Sequence, residues 1–485
     1  MNGTGPIRLK TSPLARFQGV IALAACALLV GLGPFVRAQG DPSELLLSLA
    51  LKANEGNEEK ARALADRLLS AMPARVDPSF SLEVEKAGPG ESARLLAMII
   101  LRSEVADFRN DGMALLEKAV EATSVDATEA LAVILLEGRH GQARNPNRAV
   151  ELLRRARQMP GAKTAHRLLG DLALKGEGMA KDTALAVEYY LRGAEAGSVD
   201  CLLALHRLYR DKDGGAYDPI AAERQGLAAV EAGNAEAAYE MGIFYEEYVE
   251  GAPNWSRASE WLKKGLEKGY GPAARRLADY AFEGRLGRID AAEGTRLLRE
   301  AAGFGDGEAC LRLATFYEKG EVLPQDPVAS TAWIRIAASM GYGLAENAYG
   351  LRLVNGYGVA SDPAEASRWF AKAAAQGLAD GQVNLALLLE NGIGVAPNPE
   401  EARRLFLVAA EAGQGVAQER LARLFSEGAD TAARDPLEAA YWATQAERTG
   451  VKGAAALSSK LRGALTAAQL SELDRRRPAA APSQP

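Results

Sequence analysis

Apolar and small residues recur at helical spacing along most of the chain, and residues 345–380 show the pattern most plainly. Ala345, Ala348, Tyr349 and Leu353 fall at i, i+3, i+4 and i+8, the spacing of one buried stripe on an α-helix. Gly356 and Gly358 end that stripe, as glycine does just past a helix C-terminus. Asp362-Pro363 opens a second helix, with an N-cap carboxylate and proline at the first helical position. Ala366, Trp369, Phe370 and Ala373 form its predicted buried stripe, and Gly377 ends it. The segment predicts two antiparallel helices, A and B, of about 12 and 14 residues, too short to be stable alone.

The same pattern repeats. Gly161, Gly197, Gly233, Gly269, Gly305, Gly341, Gly377 and Gly413 follow one another at steps of 36 residues, and Gly450 follows 37 later. Asp182, Asp218, Asn254, Asp290, Asp326, Asp362 and Asn398 form an N-cap column, continued by Asp435. Seven residues after these come Tyr189, Gln225, Trp261, Leu297, Trp333, Trp369, Leu405 and Trp442, so four of the five tryptophans share one position. A small column on helix A holds Gly170, Gly242, Ala278, Ala314, Gly350, Ala386 and Ala422, with His206 the exception. Helix pairs of this kind bury their faces by stacking on one another. The fold class is therefore all-α: a right-handed superhelical α-solenoid of about 9–10 antiparallel helix-pair repeats of 36 residues.

The segments Ala348–Gly377, Asn384–Gly413 and Leu311–Gly341 carry the columns Ala, Leu-Gly, Tyr, Gly-x-Gly-Val, Asp, Ala, Trp-Phe, Ala-Ala and Gly. In these columns the chain resembles the Sel1-like repeat, a relative of the tetratricopeptide repeat. The resemblance is good over 160–452 and loose over 91–159. It implies an adaptor or scaffold that holds protein or peptide partners. The copies at 201–233 and 237–269 depart from the pattern, the first through His206, Gln225 and the polar loop 211–215, the second through missing loop glycines and added Tyr245, Tyr248 and Trp255. Drift and a binding site both remain open for them.

The ends differ from the array. Residues 1–38 place Arg8, Lys10 and Arg16 before the apolar run 17–36 and the small-residue site Val36-Arg37-Ala38, the order of a signal peptide. An uncleaved anchor is the alternative, and Leu23-Ala24-Ala25-Cys26 resembles a lipobox. The predicted organisation continues with an N-terminal helical cap at 39–90, degenerate repeats at 91–160 and Sel1-like repeats at 161–453. A C-terminal capping helix at 454–476 and a disordered tail at 477–485 complete it. The expected location is exported, in the periplasm or cell envelope, with inner-membrane anchoring or secretion as alternatives.

Composition narrows the function. Removal of 1–38 takes away four positive charges and no acid, moving the formal charge from −6 to −10. Such a chain is a poor partner for nucleic acid and meets a membrane only if the N-terminal apolar segment is retained. Cys201 and Cys310 read as buried structural thiols three repeats apart. His140, His166 and His206 occupy unlike positions, and no metal-binding spacing is present. Asp211-x-Asp213 lacks the rest of a calcium loop. The Gly-x-Gly triplets at 176–178, 356–358 and 392–394 follow helices, whereas a phosphate-binding loop follows a strand. A β-lactam-directed activity attributed to some family members would need a nucleophile motif that is missing here. The reading is a non-enzyme without cofactor or metal, expected to be monomeric.

By analogy with tetratricopeptide geometry, helix A lines the concave face. Its outward positions give the expected partner-binding set: Arg207, Tyr239, Arg275, Asp279, Arg312, Thr315, Lys319, Asn347, Leu351, Asn355, Leu387, Glu390 and Asn391. Asn355 and Asn391 share one repeat position and could clamp a peptide backbone, or instead satisfy helix C-terminal carbonyls. The expected function is an exported adaptor binding a protein or peptide on this face. The alternatives are a membrane-tethered structural or assembly factor, and a cell-wall or β-lactam hydrolase.

Overall fold

The computed structural model describes residues 89–102, 109–247, 253–428 and 434–476, with Ala50, Ala53 and Leu64. The expected signal peptide at 1–38, nearly all of the expected cap at 39–90 and the expected tail at 477–485 lie outside the described residues. Those described form twenty-two α-helices and no strand. In pairs they are α1 Pro89–Arg102 with α2 Arg109–Glu121, α3 Val125–Glu137 with α4 Pro146–Ala156, α5 Lys163–Lys175 with α6 Thr183–Glu195, and α7 Val199–Arg210 with α8 Pro219–Glu231. Next come α9 Ala235–Glu247 with α10 Trp255–Glu267, α11 Gly271–Glu283 with α12 Ala291–Gly303, and α13 Gly307–Lys319 with α14 Pro327–Ser339. The series continues with α15 Gly343–Asn355 and α16 Pro363–Ala375, α17 Ala379–Asn391 and α18 Pro399–Glu411, and α19 Gly415–Glu427 and α20 Pro436–Arg448, closing with α21 Ala454–Gly463 and α22 Ala467–Arg475. From α1 to α9 in one unit and from α11 to α21 in the other, helix A packs on its own helix B and helix B on the next helix A, and the fold is an α-solenoid. None of these helices is long and apolar enough to cross a membrane. The chain divides between Gly265 and Leu266 into two compact units.

In the first unit the A–B contact is a large helix-B side chain laid on a small helix-A residue. Tyr190 covers Gly170, and Leu262 covers Gly242, where an added Cβ would stand 2.7 Å from Leu262. The repeat at α7–α8 reverses this arrangement. His206 is the large residue and Gly226 the small one, with a Cβ on Gly226 falling 2.7 Å from His206 Nδ1 and against Met241. In α3 the buried Glu129 faces the start of α5. Its carboxylate accepts the Ala165 N–H at 2.7 Å and so caps α5, whose own N-cap residue Ala162 makes no side-chain bond. Burial raises the Glu129 carboxyl above its ordinary range, opposed by that N–H and by Thr164.

In the second unit Phe370 covers Gly350, at 2.5 Å from the site of a Cβ. Phe370 and Phe406 are fully enclosed. The tryptophan column lies one residue earlier and is shallower, which corrects the expectation that Trp369 belongs to the buried stripe. Trp369 is half-buried, with Lys372 Nζ over its ring at 3.8 Å and its indole N–H donated to Glu365 at 3.1 Å. Trp442 alone of the column's tryptophans is buried. The A–B loop of one repeat rests on the start of the preceding helix B. Gly358, at φ 68°, lies against the Pro327 carbonyl, and Thr331 donates to Tyr357 O at 2.9 Å. Only glycine combines that backbone conformation with that approach. Leu465 and Leu473 close the array's end over Ala440.

Candidate functional site

The outward face of the A helices is built by stacking. Residues about 33 positions apart, one repeat less one helical turn, meet across neighbouring A helices. Opposite charges at that spacing form rungs. Arg207 donates to Glu240 at 2.8 Å and to Glu236 at 2.5 Å, while Arg210 holds the other Glu240 oxygen at 2.9 Å. In the second unit Arg275 donates to Asp306 at 2.9 Å and pairs with Glu308 at 2.8 Å. Arg312 bonds Asp279, Arg352 bonds Glu318 at 2.5 Å, and Arg420 bonds Glu390 at 2.9 Å. One rung is neutral: the Asn384 amide donates to Asn347 Oδ1 at 2.7 Å.

These rungs engage six of the thirteen expected partner-binding residues: Arg207, Arg275, Asp279, Arg312, Asn347 and Glu390. Their partners Glu240, Asp306, Asn384 and Arg420 were missed by single-repeat reasoning, yet opposite charges near 33 apart are visible in the sequence. Thr315 and Asn391 bond back to their own helix, at Leu311 O and Leu387 O. Tyr239 and Leu387 are half-buried; Lys319 and Asn355 are exposed. Leu351 is 40% exposed. Between the Arg352–Glu318 and Arg420–Glu390 rungs, the face therefore presents Leu351, Leu387, the Asn347–Asn384 amide pair and Asn355. This stretch is apolar and amide-bearing, and its flanking charges are neutralised.

Cys201 and Cys310 are free and buried, and burial pushes the Cys310 thiol up to about 12, far from a reactive thiolate. Among the described residues no group of His, Cys, Asp and Glu is placed to hold a metal. Asp211 forms a local turn, accepting the Asp213 N–H at 3.0 Å.

The Sel1 repeat model matches residues 125–159, 164–198, 235–270, 307–342, 343–378, 379–414 and 415–448. It passes over α7–α8 and α11–α12, which nevertheless fold as helix pairs. Among solved structures, the chain is similar to a protective antigen of uropathogenic Escherichia coli with an SLR fold, at 20% identity over 94% of this chain and 92% of that one, TM-score 0.46. A Sel1 repeat protein from Oxalobacter formigenes matches at 21% identity over 82% and 98%, TM-score 0.38. Yeast Tom70 matches at 14% identity over 90% and 100%, TM-score 0.31. No curated protein matches the chain.

Proposed function

Because the chain belongs to the Sel1 repeat family, whose repeats fill more than half of its length, we propose that it is an exported adaptor that binds a protein or peptide partner along its helix-A face. Repeats of this family generally mediate protein–protein interaction. The observation that carries the reading is the stretch around Leu351 and Leu387. It offers apolar surface beside amide groups, between two rungs whose charges are paired. A peptide strand can bury side chains on the leucines and bond its backbone to the amides, the usual division between apolar contact and polar fixing. Export rests on the basic, apolar and small-residue order of residues 1–38.

The test is capture of envelope proteins by the full chain, compared with the Leu351→Arg/Leu387→Arg variant at unchanged helicity. Loss of the captured partners supports the helix-A face. A variant that captures the same proteins sinks it. N-terminal sequencing of the protein recovered from cells reads export separately. A terminus at Gln39 is expected, and a retained Met1 favours the membrane-tethered reading.

A further inference from the structure

The α7–α8 repeat encloses an imidazole where the other repeats place a small residue. His206 is fully buried. Its Nδ1 lies 2.8 Å from Ala222 O, so this nitrogen carries the proton and donates it. Nε2 is also buried and has no hydrogen-bond partner. The ring is gripped by Gly226, by Met241 and by Phe244, whose centroid is 5.8 Å away. The neutral ring fits this pocket with one acceptor left unused. A protonated ring would bring a second N–H and a full charge into it, at the penalty of taking that charge out of water.

The charged groups around it offer only partial relief. On its own helix Arg207 and Arg210 are both cations, and Arg210 acts against a second positive charge. On α9, Glu240 is the anion that would attract one, but both its carboxylate oxygens are held by Arg207 and Arg210, and Arg210 also reaches its backbone carbonyl at 3.5 Å. On α8, Ala222 and Gly226 face the ring, and the Glu223 carboxylate is taken by the Tyr245 hydroxyl and by Arg257. Burial therefore holds the imidazole below its ordinary range, with Arg210 adding to the effect and Ala222 and Glu240 opposing it.

We propose that His206 is the trigger of an acid-operated opening in this array: proton uptake expels the ring from between α7, α8 and α9 and loosens that one stack. The sign follows from linkage. The closed repeat binds fewer protons at His206 than the open one, so the stabilisation is present above the ordinary histidine range near 6.5 and is lost as pH falls below it. Opening with one proton taken up becomes about tenfold more frequent for each pH unit in that window. The raised Glu129 carboxyl has the opposite sign.

Hydrogen exchange of the full-length protein between pH 7.5 and 5.5, corrected for the intrinsic pH dependence of exchange, tests this. In the wild type, amides of α7–α9 are expected to open about tenfold more per unit below pH 6.5, while those of α15–α17 stay flat. His206→Phe, which fills the pocket without a titrating group, should abolish the slope. A flat wild-type response in α7–α9, or a slope that survives in His206→Phe, overturns the proposal. Should that variant not fold, NMR titration of the wild-type imidazole decides: a ring protonating at or above pH 6.5 with its native signals intact overturns it, and a ring protonating only as those signals disappear supports it.

Discussion

Two helix pairs of this protein solve one packing problem from opposite sides. In α15–α16 the bulk comes from helix B, where Phe370 lies on Gly350. In α7–α8 it comes from helix A, where His206 lies on Gly226. Both pairs have 12- or 13-residue helices, a carboxylate N-cap on helix B and a shared chain order. What the stack constrains is thus the summed volume across the A–B contact, not the residue at either position. Interiors at close-packed density tolerate swaps that conserve volume and resist those that do not. The second solution also differs in kind, because its filler can take up a proton.

The comparison breaks most visibly if the filler is removed. Phe370→Ala should destabilise the protein by about 3–5 kcal/mol, the cost of a buried phenyl plus the cavity left beside Gly350. Trp369→Ala removes a larger but half-buried ring and should cost less, about 1–2 kcal/mol. Denaturant unfolding of both variants checks the order. Equal losses would show that the tryptophan column, and not the one after it, fills the contact.

Next in size is the reversed contact. Gly226→Leu drives a side chain into His206 and Met241 and should cost about 2–3 kcal/mol. Adding His206→Gly recreates the arrangement of α15–α16 and should recover about 1–2 kcal/mol of that loss as coupling between the two sites. If the double variant loses the sum of the single losses, the two residues are not exchanging volume.

The pairing of helices was readable because its signals are local and repeat: the N-cap column, the glycines past each helix A, and apolar stripes at helical spacing. The capping residues lie where the columns place them, from Asp182 to Asp435. Two features needed the third dimension. Trp369 and Phe370 are adjacent in sequence and both suit a helical stripe, and only the facing Gly350 distinguishes the deep position from the shallow one. On the helix-A face, outward residues chosen within one repeat carried no information about their neighbours one repeat away. Arg312 and Asp279 look like separate surface charges until the stack brings them into contact. The size exchange at His206 had a signal that went unused: the only bulky helix-A residue of its column faces a repeat in which Gly226 replaces the usual large residue of helix B.

A smaller effect asks whether the two pairs share their ends even though they differ in their middles. Asp218 accepts the Ala221 N–H at 3.0 Å and Asp362 accepts the Glu365 N–H at 2.9 Å. Removing an N-cap of this type costs about 1 kcal/mol. Asp218→Ala and Asp362→Ala should therefore cost the same within a few tenths of a kcal/mol, by thermal or denaturant unfolding. A much larger loss at Asp218 would mean that the α7–α8 pair depends on its caps to compensate for a poorer interior, and the two packings would not be equivalent.

The smallest effect separates the rungs that join each pair to the next. Above α7 the rung is ionic, with Glu240 between Arg207 and Arg210. Above α15 it is the neutral Asn347–Asn384 amide pair. Raising ionic strength from 0.1 to 1 M shortens the screening length from about 10 to about 3 Å, which weakens a partly exposed ion pair and leaves an amide bond almost untouched. Partly exposed pairs of this kind are worth about 0.2–1 kcal/mol. Local opening of α7–α9 measured by hydrogen exchange should then rise about twofold in high salt, with no change in α15–α17. An equal response in both places would mean that the rungs contribute shape alone, and that the ion pairs on the helix-A face neutralise charge without holding neighbouring repeats together.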